Sequence, residues 1–240
     1  MIDPTLLAAG TVVTVAGFMR GVTGFGGAML MAPPLSYLLG PVPAVVIALM
    51  LETAAAFVMF PSALPQIRRR TLMNLTIPAC FTVPIGGYFL ITLDPVITRK
   101  VIAGVVTVFS LILLTGVRYS GQPRPSTSVA LGSLVGVLLG ATSVGAPPVI
   151  LYLLSGSDPP QVTRANLTVF VTVISLIGLL MLLTAGVITL EFLGLAATFG
   201  APYLAATWFG SKLFAGMSDQ SVRRVALLLM LTVSVVGLAL

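Results

Sequence analysis

The chain has 240 residues, 58% of them hydrophobic and only 8% charged, with a net charge of +6. Soluble domains carry about 25% charged residues, so a water-soluble fold is excluded. The lack of histidine and the single cysteine, Cys80, exclude an internal disulfide and remove the usual zinc, haem and imidazole chemistry.

No cofactor or bound metal is called for, and the basic excess reads as cytoplasmic loop charge rather than as a nucleic-acid surface. The opening Met1-Ile2-Asp3-Pro4 has an acid where a secretory signal carries a basic region, so the first apolar run is expected to be retained.

In chain order, apolar runs near the ~20 residues that cross a bilayer fall at Leu6 to Leu39, Val42 to Ala63, Leu72 to Leu93 and Thr98 to Val117. They continue at Val129 to Leu154, Gln161 to Thr184, Thr189 to Leu204 and Val222 to Leu240. The stretch from Ala205 to Gly216 is open, because Trp208 and Lys212 suit an interface while the helix before them continues. The lipid bilayer is therefore the chain's surroundings.

The two halves correspond. Gly21, Pro33, Tyr37, Leu38 and Leu39 match Gly136, Pro148, Tyr152, Leu153 and Leu154 at one constant offset. Pro78, Gly86 and Arg99-Lys100-Val101 match Pro202, Gly210 and Arg223-Arg224-Val225 at a second. Residues 1–120 and 126–240 are accordingly expected to be two transmembrane repeats of four segments that together form one transporter domain.

Leu6 to Leu39 as a single helix would be roughly 50 Å long, beyond a ~30 Å hydrocarbon core even when tilted. Gly21-Val22-Thr23-Gly24-Phe25-Gly26-Gly27, with four glycines in seven residues, supplies the break, and Pro33-Pro34 adds another. Leu6 to Met19 alone would span about 21 Å, which suits a re-entrant hairpin better than a crossing.

Charge supports this. With re-entrant first segments, Arg68, Arg69, Arg70, Arg118, Arg124, Arg164, Lys212, Arg223 and Arg224 share one face, and only Arg99 and Lys100 oppose them. Full crossings would split the charges nearly evenly and leave no positive-inside bias. The expected fold is all-α and polytopic: two inverted four-segment repeats, each starting with a broken, re-entrant helix. It has six full crossings and both termini outside the cytoplasm.

Unwound backbone at bilayer depth is tolerated only inside protein or along a watery cavity, so each break predicts a site. Amides near half-helix starts at Gly26, Gly27, Ala28, Ser143, Val144 and Gly145 favour an anion. Pro33-Pro34 and Pro147-Pro148 can also open a helix, which would move those starts. Thr23, Gly24, Thr142 and Ser143 belong to the same spot. The plainer role for these residues is close helix packing and hydroxyl back-bonding, but the recurrence of the break favours a binding site.

Arg20 at the edge of the first break is the leading anion ligand, since a buried guanidinium needs a partner or a substrate. Glu52, midway along the second segment, is either a proton carrier or the structural partner of Arg20. Asn166, just inside the sixth segment, either ligates substrate or bonds a neighbouring helix. Arg164 reads as snorkelling to headgroups and Arg68-Arg69-Arg70 as a topology signal.

The pattern Gly21-Val-Thr-Gly24-Phe-Gly26-Gly27 with Pro33-Pro34-Leu35, echoed in Gly140-Ala-Thr-Ser143-Val-Gly145-Ala-Pro147-Pro148, resembles the sulfite exporter family TauE/SafE. Arg164-Ala-Asn-Leu167 also looks like that family, and the similarity spans nearly the whole chain. The sequence departs from it in lacking a third consecutive glycine after Gly27 and in carrying Ser143-Val144. The resemblance implies an inner-membrane permease for sulfite, sulfonates or related small sulfur anions, mostly outward and coupled to protons.

The alternatives are an anion channel, a permease for another small anion or a metal cation, an intramembrane enzyme, and a structural subunit. Scarce carboxylates and absent histidines weigh against the cation permease and the enzyme. A structural subunit gives no reason for two glycine breaks. Lipid-facing surfaces leave room for a homodimer.

Overall fold

A computed structural model describes residues 3–116, 124–153, 158–213 and 219–239. Val117, Arg118, Leu154, Gly216 and Leu240 lie outside them. Among the described residues there are ten α-helices and no strand, and seven helices are long and apolar enough to cross a membrane. The chain is a multi-pass membrane protein.

Helix α1 spans Pro4–Thr23 and α2 Gly27–Leu38; α3 spans Pro41–Ala63, α4 Arg69–Thr92 and α5 Pro95–Leu114. A short 3-10 turn, Leu64–Gln66, joins α3 to α4. The chain continues with α6 at Pro125–Thr142, α7 at Ala146–Leu153, α8 at Pro160–Thr184, α9 at Leu190–Leu213 and α10 at Asp219–Ala239. Proline opens α1, α3, α5, α6 and α8, where its missing N–H has no intrahelical partner to lose. The Asp94 carboxylate caps α5 by accepting from the Val96 amide at 2.8 Å.

The first break falls at residues 24–26, as the glycines imply, but α1 is longer than the 14 residues of Leu6 to Met19. It has 20 residues, about 30 Å at 1.5 Å per residue, so length alone no longer separates a hairpin from a crossing. The physical reason lies at both ends. Asp3 caps the start, accepting from the Thr5 amide at 2.9 Å. At the other end Arg20 finds a partner and Gly21 a tight neighbour, so both stay helical until Gly24 turns the chain at φ 78°.

In the second half the helix ends in the same way at Ser143, φ 58°. Among the described residues α2, with 12 residues, and α7, with 8, are too short to cross, and the apolar part of α10, Arg224–Ala239, is shorter than the seven candidate spans. Helix α9 continues past Leu204 to Leu213, where Lys212 lies 4.8 Å from the ring centre of Trp208.

Four helix pairings organise the bundle. Helices α1 and α9 run parallel, and a Cβ on Gly17 or Gly21 would strike the Tyr203 or Thr207 carbonyl, just as one on Gly210 would strike the Phe18 carbonyl. Helices α6 and α4 do likewise: Gly132, Gly136 and Gly140 sit against the carbonyls of Leu75, Ala79 and Val83, and Gly86 against that of Val137. Backbones in such contact gain dispersion that a side chain would forbid.

Helices α3 and α8 are antiparallel, with Leu49 beside Gly178 and the Arg68 amide bound to Asn166. Helices α5 and α10 are antiparallel as well, Ala103 lying beside Gly237 and Thr107 Oγ1 2.9 Å from Ser234 Oγ. The core centres on α3, most of which is buried, whereas the peripheral α9 is largely exposed.

Candidate functional site

Where α1 ends, its last turn carries Arg20 toward α3. The Arg20 guanidinium pairs with Glu52 Oε2, while Glu52 Oε1 accepts from the Ala28 amide at 2.9 Å and from the Tyr203 hydroxyl at 2.9 Å. Glu52 is only 6% exposed. Its carboxylate therefore has a guanidinium, a phenol and an amide at the start of α2 as donors, which offsets the cost of burying a charge.

Glycine at 27 makes the arrangement fit. A Cβ there would collide with Glu52 Oε1 and Tyr203 Oη. Gly26, at φ 86°, takes the left-handed conformation just ahead of the Ala28 amide that donates to the carboxylate, and a Cβ there would meet Met230.

The two breaks meet at a cavity of about 30 Å³. The first break brings Gly26 and Ala28, and the second brings Ser143, Val144, Gly145 and Ala146. Among the described residues Arg20 and Glu52 are its only charged lining, Ser175 of α8 adds a hydroxyl, and Leu139 and Val171 are among its apolar walls. That volume matches about one water, less than an oxyanion of four heavy atoms needs.

Not every expected residue faces this space. Thr23 donates to the Met19 carbonyl at 2.8 Å and Thr142 to the Leu138 carbonyl at 2.6 Å, and each hydroxyl also lies near the amide two residues on, Phe25 at 3.4 Å and Val144 at 3.2 Å. Both threonines finish their helices, and neither lines the cavity. Gly24 turns the chain at φ 78° where a Cβ would point into open space, and Gly27 serves by yielding room to Glu52.

Asn166 is elsewhere too. Its Oδ1 accepts from the Arg68 amide at 2.8 Å, which ties α8 to the connection between α3 and α4, and Arg68 also pairs with Asp158. Arg164 is exposed, as snorkelling requires. The proline pairs differ: Pro147-Pro148 sit in the first turn of α7, while Pro33-Pro34 lie inside α2. Proline has no N–H, so α7 offers fewer donors than α2.

Tyr203 and Ser175 were not singled out from sequence. Tyr203 is fully buried, and a tyrosine directly after Pro202 in mid-span was the available signal, since a buried phenol needs a partner. Ser175 carries no comparable mark. Among the described residues no group of three or more His, Cys, Asp or Glu gathers as a metal site.

A family model described as sulfite exporter TauE/SafE matches residues 9–237. No curated protein and no solved structure is recognisably similar to the chain.

Proposed function

The chain belongs to the TauE/SafE sulfite exporter family, a family of membrane transporters of sulfur anions, and from that premise we propose that it exports sulfite or small organosulfonates by alternating access. One observation carries the reading: the Arg20 guanidinium and the Ala28 amide converge on an anion beside a cavity that both breaks share. Guanidinium and helix-start amides are the donors an oxyanion needs. Arg20, Ala28, Ser143, Val144 and Gly145 are the proposed substrate contacts, with Ser175 added. Glu52 is the proposed proton carrier.

The mechanism rests on residues 1–120 and 126–240 being inverted repeats. The pairings support this, because α1 on α9 and α6 on α4 exchange corresponding helices. Antiparallel packing of α3 with α8, and of α5 with α10, is what a two-fold axis in the membrane plane produces. It also supports re-entrance. Between α3 and the antiparallel α8 the chain must cross an even number of times, so after α4 and α5 the pair α6–α7 must return to its own side. The proposed placement is the inner membrane with both termini outside the cytoplasm. Dimerisation through lipid-facing surfaces is part of the same proposal.

Flux of sulfite, sulfoacetate and sulfate in proteoliposomes tests the reading. Sulfite flux is expected to saturate and to fall by about tenfold or more in Arg20→Ala, the loss of one charge-assisted hydrogen bond. Flux linear in concentration would indicate a channel. No flux of any sulfur anion, or full flux in Arg20→Ala, would overturn the site.

A further inference from the structure

We propose that Glu52 is a built-in stand-in for the substrate, so that the site loads one proton together with one monoanion and the cycle is electroneutral. This rests on the anion-transport reading above and specifies its chemistry. A carboxylate is two oxygens on one centre sharing one negative charge. Here those oxygens take the donors: Oε1 takes the Ala28 amide and the Tyr203 hydroxyl, and Oε2 takes Arg20. A sulfonate or hydrogensulfite presents the same feature and suits the same donors, so an ionised Glu52 and a bound substrate exclude one another.

Charge then sets the stoichiometry. Among the described residues Arg20 from α1 and Glu52 from α3 are the only charged ones lining the cavity, and their charges cancel. The other groups facing Glu52 are neutral: the Tyr203 phenol from α9 and the Ala28 amide from α2. Across the cavity, Ser143 and Ser175 are neutral as well. Adding a monoanion alone would leave one uncompensated negative charge in a buried, low-dielectric site. A proton taken by the Glu52 carboxylate from the open aqueous side cancels that charge and releases Arg20 and the amide. The loaded site then holds the guanidinium cation, a neutral carboxyl and the anion. Proton and anion leave together on the other side in the direction set by the sum of their two gradients, so export requires an outward anion gradient that exceeds any inward proton gradient.

Selectivity follows from the same sum. Singly charged sulfonates and hydrogensulfite fit as monoanions, whereas a dianion such as sulfate would leave the loaded site negative and is rejected.

The test uses the full chain in proteoliposomes with methanesulfonate, which stays a monoanion across the working pH range, so that any pH dependence belongs to the protein. An imposed pH gradient is expected to drive accumulation toward about tenfold per pH unit, the limit for one proton per anion. A potassium–valinomycin potential of either sign is expected to drive none. In Glu52→Gln, methanesulfonate counterflow is expected to become independent of pH, and accumulation driven by the pH gradient is expected to vanish.

Potential-driven accumulation, or wild-type counterflow indifferent to pH, overturns the inference. So does a Glu52→Gln protein that keeps the wild-type melting temperature yet fails to bind methanesulfonate at every pH, which would make the ion pair purely structural. Failure of all wild-type counterflow overturns the transport reading together with this one. Working counterflow without coupling overturns only the coupling.

Discussion

Tyr203 of α9 donates its hydroxyl proton to Glu52 Oε1 at 2.9 Å, over the space that glycine at position 27 leaves open. A phenol, a carboxylate and a bare backbone thus share one contact deep in the bundle, and each limits the size of the others. Replacing Gly27 with alanine adds a methyl where those two oxygens already sit. Gly27 is helical, so the cost is one of space rather than of backbone strain. Gly27→Ala is expected to abolish sulfite flux and to destabilise the fold by about 1–3 kcal/mol, the usual cost of overpacking. Tyr203→Phe keeps the ring and loses one hydrogen bond, about 1 kcal/mol. Thermal melts in detergent beside proteoliposome flux check both. An unchanged flux in Gly27→Ala would show that the contact is not needed for transport.

The backbone contacts along the two parallel helix pairs make a separate prediction. Gly21→Ala and Gly140→Ala each drive a methyl into a carbonyl, of Thr207 and of Val83, where no side chain can move aside. Each is expected to lower stability by about 1–3 kcal/mol, measured as melting temperature. Gly104→Ala and Gly200→Ala serve as comparison because nothing lies within 4 Å of the added carbon. Alanine at those helical positions should be neutral or gain up to about 1 kcal/mol.

The same contacts show what the sequence made legible and what it did not. The apolar runs place α3, α4, α5 and α8 to within a few residues, because hydrophobic length is a signal that survives without tertiary context. The break at residues 24–26 was legible for a similar reason, since clustered glycine is visible by itself. The register between halves was not. Sequence matching pairs Gly21 with Gly136, whereas under the proposed repeat the packing pairs Gly21 with Gly140, one helical turn further on. A shift of one turn keeps every glycine on the same helix face, so composition cannot separate the two registers. The end of α1 was missed because Arg20 and Gly21 look like loop residues until Glu52 and Thr207 are beside them. The pairing of Arg20 with Glu52 was legible from two lone charges within apolar segments. Their sharing of Tyr203 was not, since only the fold brings α9 to α3.

Asn166 separates an architectural role from a ligand role. Its Oδ1 accepts from the Arg68 amide, and the residue is almost completely buried at 1% exposure. Asn166→Ala leaves that amide without its partner and is expected to cost about 1–3 kcal/mol, with the KM for sulfite unchanged. The nearby Arg68–Asp158 pair is solvent-exposed on the arginine side, at 61%, so Asp158→Asn should change stability by less than about 1 kcal/mol. Melting temperature and KM are read together for both variants. A raised KM in Asn166→Ala at unchanged melting temperature would return Asn166 to the substrate path.

Ser143 supplies the sharpest contrast between backbone and chemistry. It ends α6 at φ 58°, in the place where Gly24 ends α1 at φ 78°. A left-handed residue with a Cβ costs roughly 1–2 kcal/mol that glycine avoids. Glycine, however, gives back part of that through the entropy of the unfolded chain. Ser143→Gly is therefore expected to be as stable as the wild type or up to about 1 kcal/mol more so. The hydroxyl donates to the neighbouring Thr142 carbonyl at 2.6 Å, and the residue lines the cavity across from Arg20 and Glu52. If that hydroxyl turns to the anion when the breaks part, removing it raises the KM for sulfite about fivefold to tenfold, the worth of one neutral hydrogen bond. A variant that melts no earlier than the wild type and binds sulfite more weakly separates the two roles, because strain relief acts on stability alone. An unchanged KM would make Ser143 only the end of a helix.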